Sequence, residues 1–167
     1  MFKFILMKEQ ESVFLYLSKR QKVTENEPDI LLVEDSKHDV EFMLEALKRY
    51  NLPDKIKVFH DGGEALDYIL ATGKYSECNA CETLRVIILD LKLPKVDGLE
   101  VLQRVRASEK TRMIPVVIFS SSTEDRDRIE SYRLGANSYI AKPASYENFV
   151  NTVAEIGSYW MLRNIPA

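Results

Sequence analysis

The strongest constraint on this chain is an alternation. Five short strand-forming runs, Ile30–Val33, Ile56–Phe59, Val86–Leu89, 116–119 and 138–140, are each followed by residues at helical spacing. Ile30-Leu31-Leu32-Val33 and Val86-Ile87-Ile88-Leu89 show no polar alternation, the pattern of strands covered on both faces. Val40, Met43, Leu44 and Leu47 recur about every 3.6 residues after the first run. Leu99, Val101, Leu102 and Val105 do so after the third, and Phe149, Val153, Ile156 and Trp160 after the fifth. Such an order calls for crossover units, hence an α/β fold with a parallel sheet and helices on both faces.

The punctuation supports these boundaries. Ser36 with Asp39 three residues later resembles a capping box at the start of the first helix, and Asn51-Leu52-Pro53 stops it. A short helix is expected over 62–70, ended by Thr72-Gly73, and a polar loop then leads to the third strand. Ser120-Ser121-Ser122-Thr123 offers N-caps to a helix reaching Leu134, and Gly135 suits its C-terminal cap. Residues 1–27 read as an N-terminal extension of unknown structure, with room for a short helix around 12–19. The regular domain is expected over 28–163.

Bulk properties narrow the function. A chain of 167 residues fits one domain of ordinary size. A net charge of -3 and a pI near 5.5 argue against nucleic acid or an anionic membrane as partner. The basic cluster Lys19-Arg20-Gln21-Lys22 is too short to change that. No apolar run approaches the ~20 residues of a membrane span, and no cleavable secretory signal is evident, so the cytoplasm is expected. Two cysteines, Cys78 and Cys81, are too few for a disulfide framework or structural zinc, and their spacing falls in a loop before a strand. His38 and His60 read as a helix-surface residue and a strand-end residue.

The chemistry gathers at the strand tips. Glu34-Asp35 follows the first strand, Asp90 the third, Ser120 the fourth and Lys142 the fifth. In open α/β sheets, ligands sit outside the carboxyl ends of the strands. Each residue alone has an ordinary reading: Asp90 and Ser120 as caps, Glu34-Asp35 as acids before a helix, Lys142 as a loop cation. Together they suggest more. Three converging carboxylates raise one another's pKa values, and a hard divalent cation such as Mg²⁺ removes that repulsion. A lysine and a hydroxyl beside it suit a phosphoryl group, and a carboxylate can be the nucleophile.

The stretches ILLVED (30–35), LDLKLPKVDG (89–98), VIFSSS (117–122) and the Lys142-Pro143 pair resemble the receiver domain of two-component response regulators. The resemblance covers residues 29 to about 160. It implies a flavodoxin-like, doubly wound five-stranded parallel sheet of order 2-1-3-4-5. It implies that Asp90 accepts a phosphoryl group from a sensor histidine kinase in a Mg²⁺-dependent step. Glu34 and Asp35 would organise the ion, with Asp35, Asp90 and the backbone carbonyl of Lys92 as direct ligands. Lys142 would contact one phosphoryl oxygen and Ser120 another, while Tyr139 would turn inward as Ser120 moves. The lysine at position 92, two beyond Asp90, bears on phosphate lifetime.

SYRLGANSYIAKP (131–143) and the Ser158-Tyr159-Trp160 tail are more similar to stand-alone receivers that serve phytochrome-type kinases. The implied output is a changed protein surface and a homodimer through the fourth helix, fifth strand and fifth helix. Tyr146, Phe149, Tyr159 and Trp160 supply aromatic surface there. The competing readings are an aspartyl-nucleophile phosphatase, which resembles Asp-x-Asp at the first strand tip, and a receiver-fold scaffold or dimerisation module without signalling.

Overall fold

The computed structural model describes residues 28–49, 55–78 and 80–165. The expected helix around 12–19 lies outside the described residues. Five strands and five main helices alternate: β1 (Ile30–Val33), α1 (Lys37–Arg49), β2 (Ile56–Phe59), α2 (Gly62–Ile69), β3 (Val86–Leu89), α3 (Gly98–Ala107), β4 (Val116–Ser120), α4 (Asp125–Arg133), β5 (Ser138–Ala141) and α5 (Tyr146–Ser158). All pairings are parallel, in the order β2-β1-β3-β4-β5.

Burial follows strand position. Every residue of the central strands β1, β3 and β4 is buried, whereas the edge strands β2 and β5 are mostly half-buried. Side-chain alternation then divides the core in two. Leu31, Val33, Ile87, Leu89 and Ile118 face Leu66 and Ile69 of α2 and Val101, Leu102 and Val105 of α3. Ile30, Leu32, Ile88, Val117 and Phe119 face Met43 and Leu47 of α1 and Phe149 and Val153 of α5. Each fully buried Leu or Ile contributes about 1.5–3 kcal/mol, so the three central strands, packed on both faces, contribute heavily to the stability.

Two expectations need correction. Ser120 to Thr123 do not cap α4. Its N-cap position is Glu124, without a side-chain cap bond, and the Ser122 hydroxyl instead donates to Asp127 Oδ2 at 2.6 Å. The helix ends at Arg133 with Leu134 as its C-cap, and Gly135 just beyond it, at φ +95°, takes the left-handed C-terminal position expected of it. The polar loop before β3 contains a tight turn at Gly73–Tyr75 and a single helical turn at Ala80–Thr83, so Cys81 lies within that turn and not in open loop. Cys78 is a free thiol packed against the core.

Gly98 is fixed by proximity. A Cβ there would lie 2.2 Å from the Asp90 carbonyl oxygen and 2.7 Å from Leu91 Cα, while its amide donates to the Leu91 carbonyl at 2.8 Å. The Asp97-Gly98 pair thus lets α3 start directly beneath the turn that follows β3, and Asp97 caps the helix by accepting from the Glu100 amide. Gly98→Ala is expected to lower stability by about 2 kcal/mol or more, because the obstacle is backbone. Denaturant midpoints measure this, and an unchanged midpoint would contradict the close packing.

Candidate functional site

The strand ladders continue one residue beyond the strand ends and bring the site together. The Glu34 amide donates to the Phe59 carbonyl at 2.9 Å, and the Asp90 amide donates to the Val33 carbonyl at 3.0 Å. The Lys142 amide donates to the Ser120 carbonyl at 2.8 Å. Backbone register therefore sets Glu34, Asp90, Ser120 and Lys142 along one sheet edge.

Lys142 occupies the middle. Its Nζ donates to Glu34 Oε2 at 2.6 Å, to Asp39 Oδ2 at 2.7 Å and to Asp90 Oδ2 at 2.9 Å. An ammonium has three donors, and all three are used. Its side chain is 8% exposed. Burial works against the charge, but its hydrogen bonds to Asp39, Glu34 and Asp90 more than offset it and hold the lysine above its ordinary value. Asp90 is pinned from its other oxygen, which accepts from the Leu91 amide at 2.6 Å and, more weakly, the Lys92 amide at 3.4 Å.

Oxygens of Glu34, Asp35 and Asp90 all lie within 4.8 Å of one another. Glu34 and Asp90 are buried and Asp35 is exposed. The Glu34 carboxyl is pushed up from 4.5 to about 7, chiefly by burial, with Lys142 opposing and Asp90 adding to the rise. Mutual repulsion, expected from the sequence as the main strain, is thus secondary to desolvation. The donor set suits a divalent cation: oxygen ligands, an open side at Asp35, and an acid that one lysine leaves under-compensated.

The remaining predicted residues flank this cluster. Ser120 is fully buried, and its hydroxyl accepts from the Ser122 amide at 3.4 Å. Tyr139 reaches inward, donating to the Ser122 carbonyl at 2.8 Å. Lys92 is exposed. His38 is exposed on α1, and His60, at the end of β2, has its Nδ1 2.9 Å from the Glu34 carbonyl oxygen. Cys78 takes no part, and Glu34, Asp35 and Asp90 form the one metal-sized acid group among the described residues.

Asp39 is the residue that sequence reading missed. As a capping-box acid it should reach back to the Ser36 amide, but that amide donates to Glu34 Oε1 instead. The Ser36 hydroxyl accepts from the Asp39 amide at 3.3 Å, which leaves the Asp39 carboxylate free to meet Lys142. Its i+3 spacing fits both readings, so spacing alone could not separate them.

A response regulator receiver domain model matches residues 30–154. The chain belongs to that family. It is 41% identical over 132 residues to a probable methanogenesis regulatory protein, FilR2, of Methanothrix harundinacea, covering 79% of this chain and 83% of that one. It is 35% identical over 132 residues to response regulator Rcp1 of Synechocystis sp., covering 79% and 88%. The Mn²⁺-bound form of Rcp1 superposes with a TM-score of 0.77 at 33% identity, covering 83% of this chain and 97% of that one. The phosphorylated cyanobacterial phytochrome response regulator RcpA gives 0.78 at 34%, covering 84% and 98%. This receiver is therefore a member of a family of phosphoryl-accepting switches that bind a divalent metal and take their phosphoryl group from histidine kinases. Among the described residues no helix is long and apolar enough to cross a membrane.

The shifted glutamate gives a signed pH dependence. Folded Glu34 keeps its proton up to about pH 7, whereas the unfolded chain releases it near 4.5. Between those values the folded state binds more protons, so rising pH takes stability away across that window. In metal-free buffer this loss is expected to be on the order of 1–3 kcal/mol and to be absent from Glu34→Gln. Denaturant unfolding measured across the window checks it, and equal slopes in both proteins would contradict the assignment.

Proposed function

We propose that Asp90 is the phosphoacceptor of a receiver that signals through a changed protein surface. The observation that carries this reading is the placement of Asp90 Oδ2 2.9 Å from the Lys142 ammonium, inside the Glu34-Asp35-Asp90 cluster. An Asp90 carboxylate oxygen attacks the phosphorus of the kinase phosphohistidine. The O–P bond forms, the N–P bond breaks, and its electron pair returns to the imidazole, which takes a proton from solvent. Glu34, Asp35, Asp90 and the Lys92 carbonyl would hold Mg²⁺, which when bound neutralises phosphoryl charge. Lys142 then gives up Asp90 Oδ2 and holds a phosphoryl oxygen, and Ser120 donates to a second. The same residues would assist hydrolysis of the acyl phosphate, with exposed Lys92 at the open side of the site influencing its lifetime.

A hydrogen-bond path supports the output. The Ser122 hydroxyl holds Asp127 at the start of α4, and the Ser122 carbonyl holds Tyr139 on β5. Among α4 residues only Ser131 is buried, and Ile129 and Tyr132 are half exposed, so little packing opposes movement of this helix. We assign the α4-β5-α5 face as the surface of a homodimer. Tyr159 is 53% exposed and stacks edge-on against half-buried Trp160, both bordering a groove of about 540 Å³ with Ile140 and Ile156. The other two aromatics belong elsewhere: Phe149 is core, and Tyr146 packs on Phe42 of α1 at 4.8 Å between ring centroids. The resemblance to phytochrome response regulators favours a phytochrome-type kinase as partner, which would place the protein in the cytoplasm.

Acetyl phosphate with Mg²⁺ is expected to add one base-labile phosphoryl group to the full chain, and Asp90→Asn to abolish it. Mass spectrometry reads the adduct, and sedimentation of the same samples reads its effect on self-association. An adduct that persists in Asp90→Asn overturns the phosphoacceptor assignment. Unchanged sedimentation of a phosphorylated sample overturns the phosphorylation-tightened dimer.

A further inference from the structure

Lys142 has three partners of two kinds. Glu34 and Asp90 belong to the metal-sized acid cluster, while Asp39 binds Lys142 without belonging to it. A divalent cation entering that cluster repels the ammonium and draws Glu34 and Asp90 away from it. The lysine side chain is 8% exposed, so it must keep a partner or remain buried and under-compensated. Asp39 stands on the first turn of α1 with its side chain 26% exposed, outside the metal-sized acid group, and contacts the ammonium at 2.7 Å.

We propose that Asp39 is a positioning residue that keeps the Lys142 ammonium seated when a divalent cation takes over Glu34 and Asp90. The inference rests on the reading of Glu34, Asp35 and Asp90 as the metal ligands. Without Asp39, Lys142 stays on Glu34 and Asp90 and competes with the incoming ion. With it, lysine and metal occupy the site together, the ammonium held on Asp39 at the edge of the site that receives a phosphoryl group.

The test is a double-mutant cycle on the unphosphorylated full chain, with Mn²⁺ as probe and the free ion counted by its EPR signal. Asp39→Asn is expected to weaken Mn²⁺ binding by roughly 5–10-fold, and Lys142→Met to tighten it. In the Lys142→Met background, Asp39→Asn should change affinity by no more than about twofold, because the residue then has nothing to hold. Asp39→Glu should recover most of the wild-type affinity, which a mere loss of folded protein would not do. The same weakening in both backgrounds would show Asp39 acting as a plain negative charge and overturn the proposal. So would unchanged affinity in Asp39→Asn alone. Failure of the underlying metal-ligand reading has a different signature: Asp35→Asn would bind Mn²⁺ as tightly as wild type.

Discussion

The Lys142 ammonium ties β5 to the tips of β1 and β3 and to the first turn of α1, through one hydrogen bond each to Asp90, Glu34 and Asp39. Three carboxylates surround one buried cation, and a fourth, Asp35, lies beside two of them. A lone lysine cannot neutralise them, and Glu34, the most buried, is held partly protonated near neutral pH. The resting site is therefore short of positive charge by construction. That deficit explains why a divalent ion suits it. It also explains why a buried lysine keeps its charge where burial alone would favour the neutral amine.

The sheet supplies the rigidity that such a cluster requires. Three fully buried central strands fix the carboxyl edge, and Gly98 lets α3 start against the Asp90 backbone. Compliance lies to one side. The β4-α4 segment hangs on Ser122, whose hydroxyl and carbonyl hold Asp127 and Tyr139, and α4 buries little of its own surface. A group that pulls on Ser120 and Lys142 thus meets a stiff edge on the β1-β3 side and a soft one towards α4 and β5. That asymmetry is what supports the proposal of an output through the α4-β5-α5 face.

Much of this was legible in the sequence, for physical reasons. Short, β-branched, unbroken apolar runs such as Val86-Ile87-Ile88-Leu89, alternating with helical stretches, fit strands covered on both faces, and in a parallel sheet their polar tips meet at one edge. Strand order came from the family resemblance, because periodicity does not encode which strands are neighbours. Ser120 to Thr123 were misread as caps because hydroxyl residues before a helix serve equally well in a loop that holds a tyrosine and an aspartate. Asp39 was hidden for a related reason: a helix first turn welcomes an acid whatever its side chain touches. Helical spacing does not reveal which side of a helix meets a neighbour: Phe149 takes the core position that was its alternative, while Tyr146 packs on Phe42 of α1 and stays 43% exposed.

The central claim is that Lys142 exchanges Asp90 for an incoming phosphoryl group. The most direct measurement is a crystal structure of the full chain with Mg²⁺ and beryllofluoride, which mimics a phosphoryl group on a carboxylate. The account predicts beryllofluoride on Asp90 with Lys142 Nζ about 3 Å from a fluorine and no longer on Asp90 Oδ2. A Lys142 that remains on Asp90 Oδ2 beside the bound mimic, or a mimic bound to another carboxylate, would contradict it.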